Sequence, residues 1–152
     1  DARADFAQGR YEQAALDWQR QAAQAEPVAA AVLWVNAADA WMLAGRPDEA
    51  RNALGWVDKA RLDQADTARL DLVLADLALR SERPDEAEAL LQQAAAAVPP
   101  ASRGRYEALY DRLVAQLSAP ASQDIARAAS AAAKLSRMIA RATTVPALAP
   151  TA

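Results

Sequence analysis

The stretch Ala44-Gly45-Arg46-Pro47-Asp48-Glu49-Ala50 decides the fold, because it returns 37 residues later as Arg80-Ser81-Glu82-Arg83-Pro84-Asp85-Glu86-Ala87. A fainter copy, Gly9-Arg10-Tyr11-Glu12-Gln13-Ala14, lies 36 residues earlier. Self-similarity at a period in the thirties is typical of helical repeat proteins, in which each helix pair buries its apolar face by stacking on its neighbours. The sequence therefore predicts an array of helix pairs, which presents surfaces rather than catalytic pockets.

The composition supports an all-α fold. The 152 residues include 44 alanines, and alanine loses the least free energy on entering a helix. No window alternates apolar and polar residues as a half-buried strand would, so we expect no sheet. The net charge of −3 provides no general attraction for nucleic acid. No apolar run reaches the roughly 18 residues that a membrane span requires.

Proline and glycine give the helix limits. Pro47 and Pro84 suit the first helical turn, where the acidic residues that follow them complement the positive helix end, and Gly45 suits a helix stop. Helices are expected at residues 11–25, 28–44, from 47 onward, 66–80, 84–97, 102–117 and 122–141. We predict a helical repeat domain over residues 1–142. Residues 143–152, with two prolines, are typical of a flexible tail or linker.

Two units share a set of spaced positions that defines a known repeat. In the first unit these positions hold Trp34, Ala37, Ala38, Trp41, Ala50, Leu54, Val57 and Leu62; in the second they hold Asp71, Leu74, Ala75, Ala78, Ala87, Leu91, Ala94 and Pro99. This pattern resembles the tetratricopeptide repeat. The resemblance implies a superhelix (solenoid) of three to four antiparallel helix pairs. A drifted third copy includes Tyr110 and Leu113, and the first copy keeps only Ala14 and Trp18.

A narrower likeness covers most of residues 28–133. A drifted helix pair precedes two repeats ending in Ala87-Glu88-Ala89-Leu90-Leu91, and a proline linker then leads to a helix opening at Arg105-Tyr106. This order resembles the amino-terminal helical domain of the LpoA family, outer-membrane lipoproteins that activate a penicillin-binding peptidoglycan synthase. The resemblance implies a periplasmic, lipid-anchored protein whose synthase contact lies mainly in a second domain. The alternative is a cytoplasmic tetratricopeptide adaptor that binds an apolar peptide segment.

The motif alignment also predicts the concave, partner-binding face. That face is formed by the first helix of each pair and comprises Val32, Val35, Asp39, Met42, Arg69, Leu72, Asp76 and Leu79. It is apolar with two acidic residues, which favours an apolar and perhaps basic peptide over the terminal carboxylate that related chaperone-binding repeats clamp. The alternative is that a neighbouring helix fills this face.

No catalytic, cofactor or metal site is predicted. The chain contains neither histidine nor cysteine, and its two lysines, Lys59 and Lys134, lie in separate units, so a nucleophile would lack a convergent base. Four carboxylates, Asp58, Asp63, Asp66 and Asp71, lack the ordered ligand loop with a central glycine that calcium requires. We interpret them as solvated helix ends and turns. Nucleophilic and metal-dependent catalysis are therefore not expected.

The tryptophans and the last helix offer further surfaces. Trp18, Trp34 and Trp41 coincide with helix or repeat core positions, whereas Trp56 lies outside them and is expected to be partly exposed. The last helix carries Arg127, Lys134, Arg137 and Arg141 against the single acid Asp124. This basic side is either a solvated cap or an anion-binding surface. Its apolar side, formed by Leu135, Met138 and Ile139, is expected to pack on the preceding pair or on another domain.

Overall fold

The computed structural model describes residues 1–144, and within that range the chain is all-α, as predicted, with no strand. The helices are α1 (Ala2–Ala7), α2 (Tyr11–Gln24), α3 (Pro27–Leu43), α4 (Pro47–Leu54), α5 (Gln64–Arg80), α6 (Pro84–Ala94), α7 (Arg103–Ser118) and α8 (Pro120–Thr144). Two short 3-10 helices, η1 (Lys59–Arg61) and η2 (Pro100–Ser102), precede α5 and α7. The predicted limits agree with these to within about three residues, a normal uncertainty for helix ends.

The chain divides into two compact units, Asp1–Leu113 and Val114–Ala152, with the boundary inside α7. The predicted tail over residues 143–152 begins two residues before α8 ends at Thr144, and residues 145–152 lie outside the described range. No helix within residues 1–144 is long and apolar enough to cross a bilayer. The first unit contains three helix hairpins, α1–α2, α3–α4 and α5–α6.

The three hairpins share one turn geometry. In each turn an arginine amide donates to a carbonyl oxygen five residues earlier at 2.8 Å, which closes the helix in the Schellman manner. These bonds are Arg10 to Asp5, Arg46 to Trp41 and Arg83 to Ala78. The residue before each arginine has a positive φ of 79°, 74° and 56°, at Gly9, Gly45 and Glu82 respectively. The faint amino-terminal copy therefore forms the same turn as the two clear repeats.

Glu82 occupies a left-handed backbone position that the equivalent turns give to glycine. A residue with a side chain adopts this conformation at a cost of about 1–2 kcal/mol, which glycine avoids. Glycine offsets part of that gain, because its unfolded state has a larger conformational entropy. We expect Glu82→Gly to raise the free energy of unfolding by about 0.5–1 kcal/mol in urea denaturation. The control, Glu88→Gly inside α6, should lower it by about 1 kcal/mol. A lower free energy of unfolding in Glu82→Gly would contradict the claim that the backbone at Glu82 is strained.

Small side chains bring the helices of each hairpin together. Ala14, Ala50 and Ala87 occupy equivalent positions in α2, α4 and α6, and each is fully buried. One core cluster joins α1 to α4 with Val73 and Leu77 of α5, while a second joins α5, α6 and α7. Helix α5 is therefore buried on two sides. This position is important for the site because α5 also carries two buried carboxylates, Asp71 and Asp76.

Candidate interaction site

The predicted face lies on α3 and α5, and most of it is already covered. Three of its eight residues, Val32, Asp39 and Arg69, are half-buried. The other five are buried: Val35, Met42, Leu72, Asp76 and Leu79. On the α5 side, Leu109 and Leu113 of α7 share one core cluster with Leu72 and Leu79. A neighbouring helix therefore fills this part of the face, as the alternative interpretation expected.

Asp76 is the charged centre of the covered region. Its side chain is 4% exposed and accepts from three guanidinium groups, those of Arg112 at 2.9 Å, Arg80 at 3.0 Å and Arg105 at 3.1 Å. Desolvation by burial raises the pKa of this carboxyl, but the hydrogen bonds and charges of Arg112 and Arg80 outweigh it, so the net pKa is lowered. Asp76 is therefore ionised at neutral pH and is compensated from α5 and α7.

Asp39, the second acidic residue of the face, is neutralised from α7 as well. Arg105 donates from Nη1 to Asp39 Oδ1 at 2.5 Å and from Nη2 to Asp76 Oδ2, so one guanidinium joins α3 to α5. A fork of this kind matches the planar donor geometry of arginine. Because both acids are paired within the chain, the face has no spare negative charge for a basic peptide. Asp39 and Asp76 therefore do not support the predicted preference for a basic peptide, and the identity of the partner stays a prediction.

An open cleft remains beside the covered region. A cavity of about 410 Å³ lies between α1, α3, α5 and η2, and an adjoining cavity of about 170 Å³ shares part of its wall. We call the two together the α1–α5 cleft. Its apolar lining includes Phe6, Trp18, Val32, Val35, Leu43 and Leu72, and its polar lining is Arg3, Asn36, Asp39, Asp66, Arg69, Ser102 and Arg105.

The polar wall of the α1–α5 cleft is held by side-chain bonds between helices. Arg69 of α5 donates to Asn36 of α3 at 2.5 Å and to Asp66 at 3.0 Å. With Asp39 paired to Arg105, the four charged groups on α3, α5 and α7 cancel. Arg3 of α1 has no ion pair with any described residue. As far as the described part of the chain shows, the cleft combines apolar surface with one positive charge that has no ion pair.

A wider depression of about 840 Å³ along α1 and α2 is a weaker candidate. Its lining includes Asp1, Asp5, Asp17 and Arg20, and Asp17 and Arg20 pair with each other at 3.3 Å. Both of its walls belong to one helix hairpin, so it is a shallow surface rather than a cleft between repeats. It lacks the convergent apolar and polar groups that a recessed binding site requires.

The tryptophans behave largely as predicted. Trp18 and Trp41 are buried, and the Trp41 indole Nε1 donates to Gln19 Oε1 at 2.8 Å. Trp56 is 70% exposed, which confirms that it lies outside the core. Trp34 was expected in the core but is only half-buried. Its ring stacks on that of Trp56, with centroids 5.8 Å apart and an interplanar angle of 17°. The role of Trp56 within the chain is thus to cover Trp34.

The predicted solvated carboxylates divide into two kinds. Asp58 and Asp63 cap η1 and α5 by accepting from backbone amides, and Asp66 pairs with Arg69. No group of three or more potential metal ligands converges within residues 1–144. Asp71 contradicts the expectation, because it is 3% exposed and its Oδ1 has no hydrogen-bond partner among the residues that the structure describes. Burial raises the pKa of Asp71, and the charge of Lys59 opposes this in part.

Asp71 makes the fold weaker as pH rises. A carboxyl with a raised pKa in the folded state favours the protonated form, so its ionisation above the unfolded value of 3.8 costs stability. We expect Asp71→Asn to be more stable than the wild type at pH 7, with a gain that shrinks to nothing below pH 3.8. Urea unfolding across this pH range measures it. A constant difference at every pH would contradict the assignment.

Comparisons with protein-family models, with curated proteins and with solved structures find no match for this chain. The candidate site therefore stands on its own geometry. The sequence analysis missed Arg3, Arg105 and Arg112 as parts of it. A signal existed for two of them: Asp39 and Asp76 are one repeat of 37 residues apart, and Arg105 and Arg112 are two helical turns apart in the next long helix.

Proposed function

We propose that this chain is a noncatalytic protein-interaction scaffold that binds a peptide segment of a partner protein in the α1–α5 cleft. The repeated hairpins would stack as a tetratricopeptide-like superhelix of three to four pairs. The 37-residue period and the common backbone geometry of the three turns support this arrangement. The observation that carries the functional proposal is the cleft itself, which lies between successive hairpins and pairs apolar surface with a fixed polar wall.

The cleft selects the chemistry of the peptide. Phe6 lines both cavities, Val32 the larger and Leu72 the smaller, and these side chains offer contacts for an apolar anchor. The polar side chains of Asn36 and Ser102, which also line the cleft, offer partners for the peptide backbone. Arg3 supplies the net charge of the cleft, because the other charged groups that line it pair with each other. The preferred peptide therefore carries an acidic residue close to an apolar anchor. Electrostatic attraction of this kind adds specificity and speeds association.

The biological setting that we propose follows the LpoA-like order of elements. In that setting the chain is the helical domain of a periplasmic lipoprotein that activates a peptidoglycan synthase, and a penicillin-binding protein is contacted mainly by another domain. The cytoplasmic adaptor remains the second candidate, because the α1–α5 cleft is complete within this chain. The full reading frame separates the two: a lipidation cysteine upstream and a long downstream domain support the first, and a start codon near Asp1 supports the second.

Short peptides containing one glutamate and one leucine or phenylalanine provide the test. We expect such peptides to shift the amide resonances of Asn36 and Ser102 in an NMR titration, since both residues line the cleft. Arg3→Glu should weaken binding by about tenfold, which corresponds to losing one favourable charge contact and adding a repulsive one. Arg20→Glu, an exposed charge reversal on α2, is the matched control.

Two results would reject the proposed binding site. Equal affinities of Arg3→Glu and wild type would show that Arg3 does not contact the acidic residue. Resonance shifts confined to residues outside the cleft would place the peptide elsewhere.

A further inference from the structure

Helix α8 exposes an apolar face. Ile125, Leu135, Met138 and Ile139 are between 55% and 69% exposed, a large fraction for aliphatic side chains. At about 100° per residue they fall within an arc of about 140° around the helix, together with several alanines. This exposure does not agree with the expected packing of Leu135, Met138 and Ile139 on the preceding pair, and packing on another domain, the other part of that expectation, stays a prediction. The face is wider than the narrow seam by which a helix joins a coiled coil.

The opposite side of α8 is basic. Arg127, Lys134, Arg137 and Arg141 fall within an arc of about 80°, separate from the apolar arc. The only acid of the helix, Asp124, lies on the side of the apolar arc, one residue before Ile125, and pairs with Arg127 at 3.6 Å, with both side chains exposed. The helix thus carries a net charge of +3, whereas the rest of the chain carries −6. Positive charge is concentrated on one element of an acidic protein.

We infer that α8 binds the surface of an anionic lipid bilayer, with its apolar face among the acyl chains and its arginines and lysine among the headgroups. A basic polar side opposite an apolar side is the pattern of helices that lie in the membrane interface. The negative surface potential complements the four cations of α8 and repels the acidic remainder of the chain. This orients the protein with α8 against the lipid.

A fluid apolar phase fits this face better than a partner helix does. The face alternates small alanines with Ile125, Leu135 and Ile139, so a rigid partner would need matching side chains at every gap. Acyl chains fill such gaps without a fixed pattern. A second copy of the chain is the main rival occupant, since α8 could pair with another α8 through the same residues.

Cosedimentation of the full chain with vesicles tests the inference. We expect binding to vesicles of equimolar phosphatidylglycerol and phosphatidylcholine. Binding to vesicles of phosphatidylcholine alone should be at least tenfold weaker, and binding to the charged vesicles should be lost at about 0.5 M salt. Lys134→Glu with Arg137→Glu should weaken binding about tenfold or more. Leu135→Gln with Ile139→Gln should do the same by removing apolar burial, while glutamine maintains helix propensity.

Matched controls place the same chemical changes on the first unit. Arg20→Glu with Arg83→Glu alters the net charge equally at exposed sites, and Leu16→Gln removes an exposed apolar side chain from α2. Both controls should bind vesicles like the wild type. Circular dichroism melting confirms that all variants fold.

Three outcomes would overturn the inference. The first is equal binding to charged and neutral vesicles, or no binding to either. The second is unchanged binding of Leu135→Gln with Ile139→Gln. The third is that the wild type binds no vesicles but forms a dimer in sedimentation velocity, and that the double variant is a monomer. That result would assign the face to a second copy of the chain. A failure of the membrane inference can be distinguished from a failure of the proposed peptide site, because Arg3→Glu tests the peptide site without altering α8.

Discussion

Replacing Asp76 with asparagine is expected to lower the free energy of unfolding by about 3 kcal/mol, since removing one member of a buried ion pair leaves its partners uncompensated. Three guanidinium groups, those of Arg80, Arg105 and Arg112, would then face each other across a neutral amide. The estimate lies at the lower end for buried pairs because Arg80 and Arg112 are partly exposed and screened by solvent. The first half of α7 should loosen with the loss of this contact.

Urea unfolding at pH 7 and at lower pH measures the effect of Asp76→Asn. The lowered pKa of Asp76 means that its stabilisation is present above the unfolded value of 3.8 and is lost as pH falls through the folded value. The variant and the wild type should therefore converge in strong acid. Asp111→Asn, an exposed change on α7, is the control and should alter stability by less than about 0.5 kcal/mol. A loss below about 1 kcal/mol in Asp76→Asn would contradict the central role of this carboxylate.

Ala87→Leu is expected to lower the free energy of unfolding by about 1–3 kcal/mol or more, because the added atoms have no space between α5 and α6. Ala87 is fully buried and belongs to the core cluster that joins these helices to α7. Ala50→Leu should have a similar effect in the preceding hairpin, where Ala50 is also fully buried.

Thermal melting and urea denaturation measure the effect of both substitutions. Ala89→Leu is the matched control, since Ala89 is exposed on the same helix as Ala87 and has room for the larger side chain. It should change stability by less than about 0.5 kcal/mol. Wild-type melting of both Ala50→Leu and Ala87→Leu would show that equivalent repeat positions do not set the helix spacing.

The helix limits were predictable because their causes are local. Pro47 and Pro84 begin α4 and α6 as expected, and Gly45 ends α3 through a left-handed turn. The same turn at Glu82 was predictable only from the repeat, since its residue type does not favour that conformation. The 3-10 helices at residues 59–61 and 100–102 were not predictable from the helix propensity of so few residues. Neighbouring elements determine the conformation of such short segments.

The candidate site was predictable only in part. Periodicity correctly placed Val35, Asp39, Leu72 and Asp76 on the first helices of two hairpins, but it did not show which of them would be covered. Coverage depends on where α7 packs, and that is settled by Leu109 and Leu113 joining a core that residues of α5 and α6 form. Burial then changed the electrostatics of the face.

The sequence by itself determined the repeat period, the helix limits and the small residues at the hairpin contacts, because each is encoded by spacing along the chain. Only the tertiary structure decided that Asp39 and Asp76 are neutralised by Arg105 and Arg112, and that a cleft remains in which Arg3 has no ion pair within residues 1–144. The Arg105–Asp39 pair spans 66 residues. Ion pairs over such distances depend on how helices pack, and no local pattern of charge specifies them.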